Sequence, residues 1–113
     1  MKFNQTISVF ASGNISASGQ QAHANGVEVA GRWEYEREVF QDVEGHDQVS
    51  DAKAFFLKST LTEAGLAPAL EDRMQLGAYA GAAVGAQTTL VVKKISETPN
   101  RRAGKTLVKV WLV

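Results

Sequence analysis

Between Trp33 and Val43 the apolar residues Trp33, Tyr35, Val39 and Val43 fall on odd positions, while Arg32, Glu34, Glu36, Glu38 and Asp42 fall on even ones. A period of two is the pattern of a half-buried strand. The polar turn Glu44-Gly45-His46-Asp47 follows, and then a run from Val49 to Lys58 rich in apolar and aromatic residues. Together these segments predict a large hairpin. Its second arm is ambiguous, because Val49, Ala52 and Phe56 have helical spacing and Ser50 is a suitable N-cap, so a short helix over 51–58 competes with a strand. The strand is favoured: Phe55-Phe56-Leu57 would occupy too wide an arc of a surface helix. In a strand these residues point to both faces, which implies core on one side and a loop or another subunit on the other.

The same reading extends along the chain. Thr6-Ile7-Ser8-Val9-Phe10 predicts a short first strand. Ala11 to Gly26 is polar apart from Ile15 and a few alanines, so it is either a flexible loop or a segment ordered by a partner. Ser59 to Leu70 is a connection in which Thr60 and Glu63 resemble a capping box, cut short by Gly65 and Pro68 to about one helical turn. Glu71 to Leu76 suits either a helix starting near Pro68 or a strand with Met74 and Leu76 on one face. Residues 77–87 form a Gly/Ala-rich loop able to approach another backbone closely. Thr88–Ser96 and Thr106–Val113 predict two strands of a second hairpin, with the basic loop Thr98 to Lys105 between them. The last strand places Val108, Val110 and Leu112 on one face and Leu107, Trp111 and Val113 on the other, so it belongs inside the sheet. The fold class is all-β: a small antiparallel β-barrel or sandwich over residues 1–113, with long loops and at most one short helix.

Composition narrows the function. At 113 residues the chain is in the range of one domain that buries roughly 60–70% of its unfolded surface. Twelve basic and twelve acidic residues cancel, which argues against general duplex binding through phosphate neutralisation. There is no cysteine, so disulfides, thiolate metal sites and cysteine nucleophiles are excluded. No apolar run approaches the roughly 18 residues of a membrane helix, and Met1 to Thr6 lacks the apolar block of a secretion signal. A soluble, unexported protein is the expectation.

No motif carries chemistry. Gly104-Lys105-Thr106 looks like the end of a phosphate-binding loop, but position 99 is proline where the pattern needs glycine, and a strand follows instead of a helix. Gly77, Gly81 and Gly85 recur every four residues without the apolar helix that would make them a packing motif. Asp42, Glu44, Asp47 and Asp51 gather around Gly45 but lack calcium-loop spacing, and turn chemistry explains them. His23 and His46 have no partner at metal-ligand spacing. Arg101, Arg102 and Lys105 concentrate positive charge in one loop, as a solvated tip or as a docking contact to an acidic surface or DNA phosphate.

Several features, read in order, resemble the small head-closure, or stopper, proteins of long-tailed phages and gene-transfer particles. They are Thr6-Ile7-Ser8-Val9-Phe10 with the long polar loop after it, Arg32-Trp33-Glu34-Tyr35 leading to Val43-Glu44-Gly45, and Val49-Ser50-Asp51-Ala52 with Phe55-Phe56. Glu71-Asp72-Arg73-Met74-Gln75-Leu76-Gly77 and Val108-Lys109-Val110-Trp111-Leu112 complete the set. The resemblance implies a compact barrel in a homo-oligomeric ring in the virion neck, made in the host cytoplasm. The ring would close the DNA exit channel, with the portal and adaptor on one side and the tail terminator or tail tube on the other. Contact with the packaged DNA end is part of that expectation; a cofactor, a membrane and an active site are not. By position, residues 11–26 (Asn14, Ile15, Gln20, Gln21, His23 and Asn25) are the first candidate for reaching the lumen or a neighbour. Tyr79 and Val84 of the Gly/Ala loop are the second, and Arg101, Arg102 and Lys105 the third. The nearest alternative is a tail terminator or adaptor of the same neck. A different class is an OB-like module for single-stranded nucleic acid, stacking bases on Trp33, Tyr35, Phe55 or Phe56 beside Arg32, Arg37 and Lys53. Neutral net charge weighs against it. An enzyme ranks third, with no residue to nominate.

Overall fold

The computed structural model describes residues 3–15, 21–81, 89–100 and 105–113. Its elements in chain order are β1 (Gln5–Phe10), β2 (Ser12–Ile15), β3 (Gln21–His23), β4 (Val27–Glu34), β5 (Val39–Gln41) and β6 (Asp47–Val49). They continue with β7 (Ala52–Leu57), α1 (Lys58–Glu63), β8 (Arg73–Leu76), β9 (Leu90–Asn100) and β10 (Lys105–Leu112). Six strands close an antiparallel barrel in the order β1-β4-β7-β10-β9-β8, while β2–β3 and β5–β6 form separate two-stranded ribbons. The expected all-β class with at most one short helix is therefore observed, and of the two architectures left open, barrel or sandwich, the chain forms the barrel.

Alternation fills the barrel. Inward positions carry Ile7 and Val9 of β1, Val29 and Trp33 of β4, Ala52, Ala54 and Phe56 of β7, Met74 of β8, Val92 of β9, and Val108, Val110 and Leu112 of β10. Small Ala52 and Ala54 leave room for Trp33 and Phe56. Gly31 is inward too: a Cβ there would lie 2.8 Å from the Phe55 carbonyl oxygen and 2.8 Å from the Phe56 ring. Only a residue without a side chain lets Phe56 reach the centre. Leu61 of α1 caps one mouth of this core.

Because neighbouring strands alternate in direction, β1, β7 and β9 all finish at one mouth. Connections 11–26, 58–72 and 101–104 leave from there. The strands β4 and β8 finish at the other mouth, with connections 35–51 and 77–89.

The alternation over Trp33–Val43 is not one strand. The barrel strand stops at Glu34, and Val39–Gln41 belongs to the β5–β6 ribbon. Trp33 is buried, but Tyr35, Val39 and Val43 are 74%, 67% and 73% exposed, whereas even-numbered Phe40 is buried. The chain leaves the barrel at residues 35–38 and folds back over its outside, so the face turned toward protein changes from odd to even. The turn at 42–47 closes only this ribbon: Gly45 has φ +83°, and Asp42 accepts hydrogen bonds from the Glu44 and His46 N–H groups. The larger pairing does form, with Arg32 opposite Phe55 and Glu34 opposite Lys53.

Three further expectations change. Residues 11–26 are not simply a loop, since β2 and β3 pair within them and the Ala24 N–H donates to the Ala11 carbonyl at 2.9 Å. The helix starts at Lys58 directly after β7, without a side-chain cap, so Thr60 lies inside it and the capping box is unused. It ends where Gly65 takes φ +72° and the Leu66 N–H donates back to the Leu61 carbonyl, a Schellman closure. Between β9 and β10 the connection shrinks to 101–104, because both strands extend into the expected basic loop. The two ambiguous stretches resolve as strand over 52–57 and strand over 73–76.

Candidate functional site

The described members of the three nominated sets have definite places on the barrel. Asn14 and Ile15 lie in β2, Gln21 and His23 in β3, and Asn25 follows β3 on the surface. Gln20 lies outside the described residues. The root of this ribbon is held by Asp72, only 3% exposed. One of its carboxylate oxygens accepts the Ser12 N–H and hydroxyl, each at 2.7 Å, and the other accepts the Ala69 N–H at 2.9 Å.

Tyr79 belongs to a strap, residues 77–81, that runs back over β1. The Gly77 N–H donates to the Thr6 carbonyl, the Tyr79 N–H to Ser8 Oγ, and the Gly81 N–H to the Gly26 carbonyl, each at 2.9 Å. A close backbone approach occurs here, but the glycine that permits it is Gly26 and not one of the Gly/Ala loop: a Cβ on Gly26 would stand 2.5 Å from the Tyr79 carbonyl oxygen. The strap covers outward-facing Ser8 and Phe10, and it brings Tyr79, 41% exposed, beside the segment carrying Asn25. Val84 lies outside the described residues.

Lys105 is exposed at the mouth from which β2 departs, on a groove of about 480 Å³ shared with Lys58, Ser59, Thr62, Glu63 and Thr106. Arg101 and Arg102 lie outside the described residues, in the connection between the flanking strands. Lys105 and the described candidates of the β2–β3 ribbon thus share a mouth, and Tyr79 reaches toward it along the barrel wall.

Sequence reasoning did not find the most heavily built surface, which is the outside of β7, β10 and β9. Register aligns Lys53, Trp111 and Lys94 in one row across these strands, and Phe55, Lys109 and Ser96 in the next. The β5–β6 ribbon and residues 36–38 lie on it. Lys53 Nζ is 2.8 Å from Glu38 and 3.3 Å from Glu36, and Lys109 Nζ is 3.3 Å from Glu38. The Phe40 ring faces Trp111 with centroids 6.1 Å apart. Lys109 Nζ sits 4.3 Å over the Trp111 ring and 5.9 Å over Phe55, and Lys94 Nζ is 5.1 Å from Trp111. The hydrogen bond from Lys53 holds the Glu38 carboxyl below its usual range against the opposing effect of burial, with help from Lys109. Reciprocally, the bond to Glu38 raises Lys53 above the ordinary lysine range despite desolvation. At the ribbon tip, the His46 N–H and then the Gln48 side chain lower Asp42.

This surface sorts the residues of the OB-like alternative. Trp33 and Phe56 point into the barrel and cannot stack on a base. Phe55 and Lys53 are on the outer face but under the ribbon. Tyr35 is exposed, edge-on to Trp33 at 5.8 Å, and Arg32 is paired with Glu34 at 2.8 Å. The available signal was the outward face of β10, where Lys109 and Trp111 alternate with the core residues. Among the described residues no group of three His, Asp or Glu side chains could hold a metal ion. No protein-family model matches this chain, and no curated protein matches it either.

Proposed function

We propose that this chain is a structural subunit of the neck joining head to tail in a long-tailed phage or related gene-transfer particle. In this reading it works as a stopper, assembled with copies of itself into a ring between the portal or adaptor and the tail side. The proposal rests on the sequence resemblance. The structural observation that best supports it is the common exit of connections 11–26, 58–72 and 101–104 from one mouth of a filled barrel. A ring subunit needs a rigid body with variable segments collected at one end, where a neighbour, a channel or a docking partner is met.

The test separates the body from these segments. Replacing residues 14–21 by Asn-Gly leaves Ser12 on Asp72 and closes β2–β3 with a two-residue turn. Particles carrying this variant are expected to assemble heads, yet lose DNA retention or tail joining, as seen by counting filled and tailed particles in micrographs. Unchanged particles would remove the role given to this segment. A reconstruction of the neck without this chain in a ring below the portal would remove the function itself.

A further inference from the structure

The overall charge balance conceals a division. Residues 35–51 hold six of the twelve acidic residues and one of the twelve basic ones, so the rest of the chain carries a surplus of five positive charges. The acidic segment is the one lying on the outer face of β7, β10 and β9.

That face has the chemistry of a single-strand platform: Lys53, Lys94 and Lys109 interleaved with Phe55 and Trp111 on adjacent strands. Cations track a phosphate backbone, and aromatic rings stack bases that are free of a duplex. The ribbon satisfies these groups as a nucleotide chain would. Its Glu36 and Glu38 carboxylates pair with Lys53 and Lys109, as phosphates do, and the Phe40 ring covers Trp111, as a base does.

We propose that the β5–β6 ribbon is an intramolecular stand-in for single-stranded nucleic acid, covering a binding face that is uncovered when the ribbon swings away. The ribbon suits this role. It consists of two three-residue strands, and a two-stranded hairpin is marginal alone. Its Val39–Val49 cross-strand pair faces solvent, so Phe40 and the two glutamates hold it on the sheet face. Buried Ser50, bonded to the Glu36 and Glu38 main chain, and the Asp51 N–H, bonded to the Leu112 carbonyl, fix the root about which it swings. The proposal goes beyond the neck reading and does not depend on it, because it concerns the free subunit.

The experiment measures anisotropy of a fluorescein-labelled oligothymidylate of about 12 nucleotides titrated with full-length protein. The triple variant E36Q/E38Q/F40A is expected to bind about tenfold or more tightly than the unmodified chain, the gain of one stacked base. Binding should weaken steeply between about 50 and about 200 mM salt, quench tryptophan fluorescence, and disappear when K94E/K109E is added. A control, E44Q/D47Q, makes the same charge change as E36Q/E38Q at the far turn and should leave affinity unchanged. Equal tightening in that control would overturn the proposal by reducing it to net charge. So would an unchanged affinity in the triple variant with circular dichroism showing a folded barrel, or equal displacement by polyglutamate and by unlabelled oligonucleotide. Should the triple variant misfold, E36Q/E38Q alone is read, with about threefold tightening expected and no change counting against.

Discussion

Lys53 and Glu38 carry a pH dependence whose sign follows from their partners. The Lys53 hydrogen bond lowers the folded-state pKa of Glu38, so that group's stabilisation is complete above the ordinary glutamate value, about 4.3, and is lost as pH falls through the lowered value. Lys53 is raised by Glu38, so its share is complete below the ordinary lysine value, about 10.4, and is lost as pH rises through the raised one. Between those limits the pair contributes fully. The stability difference between the unmodified chain and E38Q, from urea unfolding at a series of pH values, should therefore be flat from about pH 5 to about pH 10 and shrink on the acid side. A difference that grows toward acid would show that burial, not the ion pair, sets the ionisation of Glu38. None of this was legible at residue scale in the sequence. Glu36, Glu38 and Lys53 were visible as charges, but their meeting depends on a reversal of the chain at residues 35–38.

At the scale of elements, legibility followed the source of the pattern. The strand β10 was readable because both of its faces are apolar and its inward set, Val108, Val110 and Leu112, is unbroken. The strand β7 was readable for the same reason, and its two-sided cover is now explained by the core beneath and the ribbon above. The segment Trp33–Val43 misled because alternation reports a period and not which face meets protein. Tyr35, Val39 and Val43 share the parity of Trp33 but face solvent, Tyr35 in the segment leaving the barrel and the two valines on the separate ribbon and its turn. The ribbon's dependence on Phe40 gives a test at this scale. In F40A, amides of residues 39–49 should exchange with solvent about tenfold faster or more, while those of β7 and β10 that point into the barrel sheet keep their protection. Loss of protection throughout the barrel would mean that the ribbon is part of the cooperative core and not an appended arm.

At the scale of the whole molecule, closure was the part that sequence could not supply. Chain order suggests hairpins such as β9–β10. It does not reveal that β8 lies between β1 and β9, although these pairings turn a row of strands into a barrel. The seam is short: β8 meets β9 only through Arg73 opposite Val91 and Met74 opposite Leu90. Main-chain bonds beside it, from the Glu71 N–H to the Val92 carbonyl and from the Val92 N–H to the Asp72 carbonyl, extend the join. The Asp72 side chain then ties the same corner to Ser12 at the exit of β1. One buried carboxylate thus links strands far apart in sequence at the place with the fewest ladder bonds. Asp72→Ala leaves three donors without their acceptor, so it should cost about 2–4 kcal/mol, a large part of the stability of a chain this size. Urea unfolding should show a lower midpoint, and exchange should speed up first in β8 and the first residues of β9. A loss under about 0.5 kcal/mol would mean that core burial around Met74 and Val92 closes the barrel without the carboxylate.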